Sequence, residues 1–398
     1  MAVRSFVLYD ADSESPEPRM TRVDATVSGL QLNCDTGCHV SLRTLRGGLS
    51  DGVDVVDLCS GPLTVSLLPT RGMGLWKATR DGVTAGWKSP VSRPVHPKLV
   101  NLGSRNGLGW LDGFNELLCR CGLAFNGPPG IDAGAKSPIE SQLTLHGKIA
   151  NLPAHRVEVE VDDTGPGRIS VIGVVDECTL FGPQLRLTSR VSLAAGGTTI
   201  EIEDRIENRA TSPTELELLY HINVGPPFLD AGAKLWAPAK VVAPRDARAA
   251  EGIDDYTVYL GPTAGYAEQA YFFDLVADET GRTTTLVHNA AGDRGFAVSF
   301  PRQQLPCFTV WKCTQAEADG YVTGLEPGTN FPNFKSFERE QGRVVLIPPG
   351  GNYQTSMNLD LHITEDEVAR AVERIRALQG RGTPQRHPNP APGFSPVT

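Results

Sequence analysis

The sequence predicts an all-β protein: a large antiparallel sandwich with one short helix near its C-terminus. Three observations lead there. Several segments rich in β-branched residues alternate apolar and polar positions, the period of a half-buried strand. They succeed one another across short breaks, for which the chain has 42 Gly and 30 Pro residues. No regular helices stand between them, which disfavours a doubly wound parallel sheet and favours packing of sheet on sheet.

The clearest strands are VIGVVDEC (171–178), QLRLTSRVSL (184–193) and TIEIEDRIEN (199–208). The same texture returns at RTTTLVHN (282–289), GFAVSF (295–300), PCFTVWKC (306–313), GRVVLIPP (342–349) and GNYQTSMNLDLHI (351–363). Two loops interrupt the pattern, AFNGPPGIDAGAKSPIE (124–140) and FLDAGAKLWAPAKVVAPRDARAAEGI (228–253). The second is long for a structureless connection, a length common in functional loops.

TEDEVARAVERIRALQG (364–380) predicts the helix. Thr364 and Glu367 have capping-box spacing, Val368, Ala371, Val372, Ile375 and Leu378 share one face, and Gly380 ends it. The tail RGTPQRHPNPAPGFSPVT (381–398) is Pro-rich and expected to be disordered. The domain plan is one sandwich over 1–363, the helix 364–380 and this tail. There is no internal repeat.

The formal charge of −9 and the absence of a Lys/Arg block argue against a nucleic-acid partner. They suit a small neutral or polar one. The apolar run Phe6–Tyr9 is too short for a signal-peptide core, and no run approaches the roughly 18 apolar residues of a membrane span. Eight Cys in 398 residues is no disulfide framework, so a reducing, cytoplasmic setting is expected.

CDTGCH (34–39) and CRC (119–121) lack the partner pair of a zinc ribbon. No P-loop, dinucleotide fingerprint, nucleophile elbow or HExxH zinc motif occurs in its expected context. What remains is imidazole and carboxylate: His146 in LHGKIANLPAH, His221 in ELLYHINVGPPFL and Glu326 in YVTGLEPGTNFPN. Each lies at a predicted strand end beside turn residues, where binding sites concentrate. Taken singly, each reads more simply as a hydrogen-bonded structural His or a solvated Glu. Spacing does not bring the three together.

The chain resembles the aldose 1-epimerases, or galactose mutarotases, and most of all their branch described as a domain of unknown function, DUF4432. The resemblance rests on the order of LPTRGMGLWKA (68–78), WKSP (87–90), GWLDGFNELLCRCGL (109–123), LHGKIANLPA (145–154), LLYHINVGPPFLD (218–230) and GLEPGTNFPN (324–333). It implies a galactose mutarotase-like β-supersandwich with an open sugar cleft. It also implies no cofactor and a catalytic set of two His and one Glu. His146 matches the His-Gly motif, His221 the His before a short turn, and Glu326 the late Glu before Pro. Arg71 and Arg120 compete for the family's sugar-holding Arg. Two departures bear on the substrate: the first His motif runs straight into KIANLPA, and GWLDGFNELLCRCGLAFNGPP replaces the family's Arg- and Asn-bearing stretch.

Anomer exchange opens a cyclic hemiacetal. One group takes the proton of the anomeric hydroxyl and another protonates the ring oxygen. On the resemblance, Glu326 is that base, His221 the acid, and His146 polarises the same region. Trp110, Asp112, Asn115, Glu116 and Arg120 make a stretch dense in sugar-binding chemistry, with Asn126 and Asp230 in adjoining loops. Trp76, Trp87 and Trp311 could stack on a sugar or serve as core. Lys148 and Lys312 could hold an anionic sugar or stand solvated. The expected partner is a monosaccharide or small derivative. Two alternatives stay open: an isomerase, epimerase or lyase acting α to a sugar carbonyl, and a non-catalytic sugar binder. The oligomeric state is not fixed by the sequence.

Overall fold

The computed structural model describes residues 3–14, 20–24 and 37–396. Two antiparallel sheets face each other. One has nine strands, in the spatial order Val3–Asp10, Arg156–Asp162, Arg168–Cys178, Gln184–Ala194, Thr199–Asn208, Asn352–His362, Gly295–Pro301, Arg282–His288 and Lys234–Trp236. The strands predicted at 171–178, 184–193 and 199–208 lie in this sheet, each within a residue or a few of its expected ends. Arg156–Asp162 shows the cause in its strict alternation of buried Val with charged residues.

The second sheet holds 13 strands. Its path runs through Asp54–Cys59, Leu63–Leu68 and Gly74–Arg80 to Leu118–Cys121 and Leu219–Val224. It continues through Val322–Gly328, Cys307–Cys313, Gln269–Leu275 and Ala239–Pro244. Its central strands are buried on both faces: all six residues of Leu219–Val224 and all seven of Val322–Gly328 are buried. One face meets the other sheet, where Val159, Val171, Val191, Ile202 and Leu359 pack against Leu58, Val65, Leu75, Val310 and Leu325. The opposite face of the central strands carries the polar groups described below.

A polar pin crosses the core. Arg120 bonds Asp204 through Nε (2.5 Å) and Nη2 (2.9 Å), Ser189 at 2.8 Å, and the Met73 carbonyl at 2.7 Å. Tyr220 donates to the same carboxylate at 2.7 Å. The Arg120 and Asp204 side chains are 0% exposed. With every arm engaged between the sheets, Arg120 has none left for a sugar, which corrects its candidacy as a substrate-binding residue.

The C-terminal helix spans Glu365–Gln379, capped by Thr364. Val368, Ala371, Val372 and Ile375 pack on Leu286, Ala297 and Trp236 of the nine-stranded sheet. Glu367 bonds the Ile363 N–H at 2.8 Å rather than that of Thr364, so the capping box is shifted by one residue. Two other expectations differ. Residues 228–253 are not structureless; they contain the strands Lys234–Trp236 and Ala239–Pro244 and the short helix Ala247–Ala250. The Pro-rich tail packs: Gln385–Arg386 pairs with Val241 and Val242, Ala391 and Ser395 are buried, and Phe394 stacks near Phe331 at 5.6 Å. Prolines lower the entropic cost of ordering such a segment, and Ala391 and Phe394 give it apolar surface to bury. Residues 397–398 and Cys34 of CDTGCH lie outside the described residues. Cys38 is buried beneath the Ser60 carbonyl. No helix among the described residues is long and apolar enough to cross a membrane.

Candidate active site

Strand register assembles one row across the outer face of the large sheet. Cys119 pairs with His221. Leu219 faces Gly328 and Ile222 faces Leu325, which sets His221 opposite Glu326. Glu326 pairs with Thr309, and Thr309 with Phe272. Side chains of directly paired residues share a face, so Cys119, His221, Glu326 and Thr309 stand side by side. His221 Nε2 lies 3.3 Å from Glu326 Oε1, both side chains 6% exposed or less. The Oε1 atom has no hydrogen-bond partner, and neither has Thr309 Oγ1. Gly324, two residues before Glu326, leaves room for the carboxylate; a Cβ there would collide with Oε1.

The second imidazole comes from a loop. His146 has φ +58° and Gly147 +70°. A Cβ on Gly147 would strike the carbonyls of Phe125 and Gly122, so glycine at 147 is a steric requirement of this turn. Gly122 donates to the His146 carbonyl at 3.0 Å, tying the loop to the end of the strand Leu118–Cys121. The two imidazole centroids are 5.6 Å apart. Trp110 lies 4.7 Å from His146, and Phe114 and Trp311 lie 4.9 Å and 5.4 Å from His221. His146, His221 and Glu326 thus meet beneath a cover of aromatic rings.

Both tautomers are set. His146 Nδ1 donates to the Asn126 carbonyl at 2.7 Å, freeing Nε2 for chemistry. Asn126 is held by Asn330, which also donates to the buried Glu217 at 2.8 Å. His221 Nδ1 faces Asn223 Oδ1 at 2.7 Å. The Asn223 amide donates to the carbonyls of Glu116 and His221, so Oδ1 is the atom left to accept from Nδ1–H. The free His221 Nε2 points at Glu326.

Burial pushes the Glu326 carboxyl up to about 8, although His146 pulls against it. Burial also opposes charge on His146, yet the neighbouring Cys121 thiolate and the Asn126 carbonyl lift it to about 9. Cys121 answers in kind: burial raises it, but Cys119 and His146 outweigh that and bring it down to about 6. Burial and the charge on His146 hold His221 down at about 3. These shifts favour a protonated His146 beside a Cys121 thiolate, favour a neutral His221, and bring the Glu326 carboxyl toward neutrality.

The other candidates scatter. Arg71 is buried; it bonds Glu116 (2.5 Å), Asn151 and the Val95 and Gly113 carbonyls (3.0 Å each). It anchors the segment that carries Trp110 and Phe114 and reaches the site only through the Glu116 carbonyl on Asn223. Glu116 is likewise spent on Arg71 and the Asn115 N–H. Asp112 is exposed and paired with Arg105. Asp230 accepts from the Ala290 N–H in a distant turn. Asn126 touches the site through its main chain. Lys312 turns away, capped by the carbonyls of Tyr256 and Val258. Trp76 packs with Val53, Val55 and Leu68, away from the histidines. Lys148 is exposed. The sequence reading passed over Asn223, Gly324, Thr309 and Phe114, and weighed Cys119 and Cys121 only as metal ligands. Two-residue alternation from His221 would have found Asn223, and from Glu326 it would have found Gly324. Among the described residues no three His, Cys, Asp or Glu side chains converge as a metal site.

An antiparallel two-sheet sandwich with this imidazole–carboxylate centre has the galactose mutarotase-like fold. A galactose mutarotase-like protein from Clostridium acetobutylicum aligns over 82% of this chain and 98% of its own, with TM-score 0.54 and 14% identity. Galactose 1-epimerase from Lactobacillus acidophilus NCFM aligns over 81% and 98%, with TM-score 0.50 and 12% identity. Both likenesses concern the fold. A protein of Klebsiella pneumoniae subsp. pneumoniae MGH 78578, provisionally assigned as an aldose 1-epimerase, is 33% identical. It aligns over 97% of this chain and 98% of its own, with TM-score 0.90. A comparison with curated proteins found no match. The profile described as a domain of unknown function, DUF4432, matches residues 50–361. The chain belongs to the DUF4432 family.

Proposed function

We propose that the protein interconverts the anomers of a free, uncharged aldose by acid–base ring opening. The observation that carries this is the buried Glu326 Oε1, without a partner, 3.3 Å from His221 and beside the His146 loop. In its carboxylate form Glu326 takes the anomeric O1 proton as the C1–O5 bond breaks. The imidazolium of His146 gives its Nε2 proton to O5. The resulting aldehyde turns about C1–C2 and closes on its other face, and both protons return.

The acid assigned from sequence was His221. The charges favour His146 for that role, with His221 neutral and its Nε2 lone pair placed to accept from Glu326 once that carboxyl is protonated. An uncharged substrate is supported because Arg71, Arg120 and Lys312 are consumed by internal partners. Aromatic Trp110, Phe114 and Trp311 offer apolar faces to a sugar ring.

The test is anomer exchange by NMR saturation transfer over a panel of neutral, acidic and phosphorylated aldoses, for wild type and Glu326→Gln. The expected result is acceleration of neutral aldoses, reduced about 10²–10⁴-fold in the variant. No acceleration on any aldose overturns the proposal. Deuterium from solvent appearing at carbon in the same samples would assign carbon-centred isomerisation instead.

A further inference from the structure

We infer that a second site, at the junction of the two sheets and the C-terminal helix, binds a phosphate group. It is a cavity of about 170 Å³ lined by Arg80, Thr198, Asp360, His362, Arg370 and Arg374, among others. A water's share of the liquid is about 30 Å³, so the hollow accommodates one tetrahedral oxyanion.

Three features mark it as a binding site. His362 is nine-tenths buried, and its Nε2 has no hydrogen-bond partner. Arg80 Nε is buried and makes no hydrogen bond, with Asp81 3.8 Å away as its ion-pair partner, while Nη1 and Nη2 hold the Leu361 carbonyl and Glu367. Glu367, Arg370 and Arg374 follow helical three- and four-residue spacing, which puts both arginines on the side of the helix that faces Arg80. Neither Arg370 nor Arg374 makes a hydrogen bond or ion pair among the described residues. Like charges one turn apart repel, and an anion between them reverses the sign of that interaction.

Two carboxylates share the lining, and neither bonds Arg370 or Arg374. Asp360 accepts from Thr199 Oγ1 at 2.6 Å. Glu367 is held by Arg80 and by the Ile363 N–H at 2.8 Å. The Arg370 and Arg374 guanidinium groups and the His362 imidazole therefore remain for a ligand with several acceptor oxygens in a tetrahedral array. Guanidinium pairs with phosphate in this forked way. The contrast with a hollow of about 110 Å³ behind the His146 loop supports the choice. There Glu177 is satisfied by two backbone N–H groups, and Glu215 and Asp132 by Arg339.

The experiment is isothermal titration of the full chain with inorganic phosphate at constant ionic strength, for wild type and for the double variant Arg370→Gln/Arg374→Gln. Both positions are exposed, so the variant folds, and its anomer exchange on neutral sugars should match wild type. Saturable binding to wild type, weakened about tenfold or more in the double variant, is expected from the loss of two charge-assisted contacts. Glu326→Gln should bind phosphate as wild type does, which separates this site from the catalytic row. No saturable heat in wild type, or equal binding in the double variant, overturns the proposal. A sugar phosphate binding more tightly than phosphate identifies an ester as the occupant; equal affinity identifies free phosphate.

Discussion

Two buried pairs of ionisable side chains sit on opposite faces of the same sheet. Between the sheets, Arg120 and Asp204 satisfy each other and are completed by Ser189, Tyr220 and backbone carbonyls. On the outer face, Glu326 and His221 are nearly as buried, yet Oε1 lacks a bond and the contact is longer, 3.3 Å against 2.5 Å. The first pair has no bonding capacity left and holds the sandwich together. The second has capacity left over, and burial raises the Glu326 carboxyl to about 8 while holding His221 neutral. Among buried ionic groups, unspent hydrogen-bonding capacity separates chemistry from architecture.

Substitutions should divide along that line. Glu326→Gln should cut anomer exchange about 10²–10⁴-fold. It should not lower the melting temperature, because the amide can donate to the neutral His221 Nε2. Arg120→Met should do the opposite. It strands Asp204 in the core at about 3–5 kcal/mol in denaturant unfolding, with activity per folded molecule unchanged. If Asp204→Leu added to Arg120→Met fails to recover stability, the pin is more than an ion pair.

Gly324→Ala sharpens the comparison within the outer row. The new methyl must displace Glu326 Oε1, and a displacement near 1 Å costs on the order of 10²-fold in rate. A rate equal to wild type would show that the carboxylate position does not matter.

The smallest effect is expected in the pH profile of kcat/KM. Activity should rise as Glu326 loses its proton near 8 and fall as His146 loses its own near 9. Cys121→Ser removes a group that raises His146, so the falling limb should move to lower pH. An unmoved limb would detach His146 from the acid role.

The strands of the nine-stranded sheet were legible because one face is buried and the other wet, which writes a period of two into the residues. Val191 and Ile202 are buried while Arg190 and Glu203 are not. The C-terminal helix was legible from its cap and stripe. The central strands of the larger sheet were harder. Leu118–Cys121 and Leu219–Val224 are buried on both faces, so polarity does not alternate with exposure. In that setting Arg120 looked like a ligand-binding residue, since nothing local shows which face it takes or that Asp204, 84 residues away, receives it.

By itself, the sequence determined a β-sandwich with a helical end, which depends on local period and capping; His146, His221 and Glu326 were singled out by the family resemblance and not by local pattern. Tertiary structure alone decided which charges are spent and which are free. That depends on register across strands distant in sequence, which aligned Cys119, His221, Glu326 and Thr309, buried Arg120 against Asp204, and left His362, Arg370 and Arg374 unpaired around a cavity.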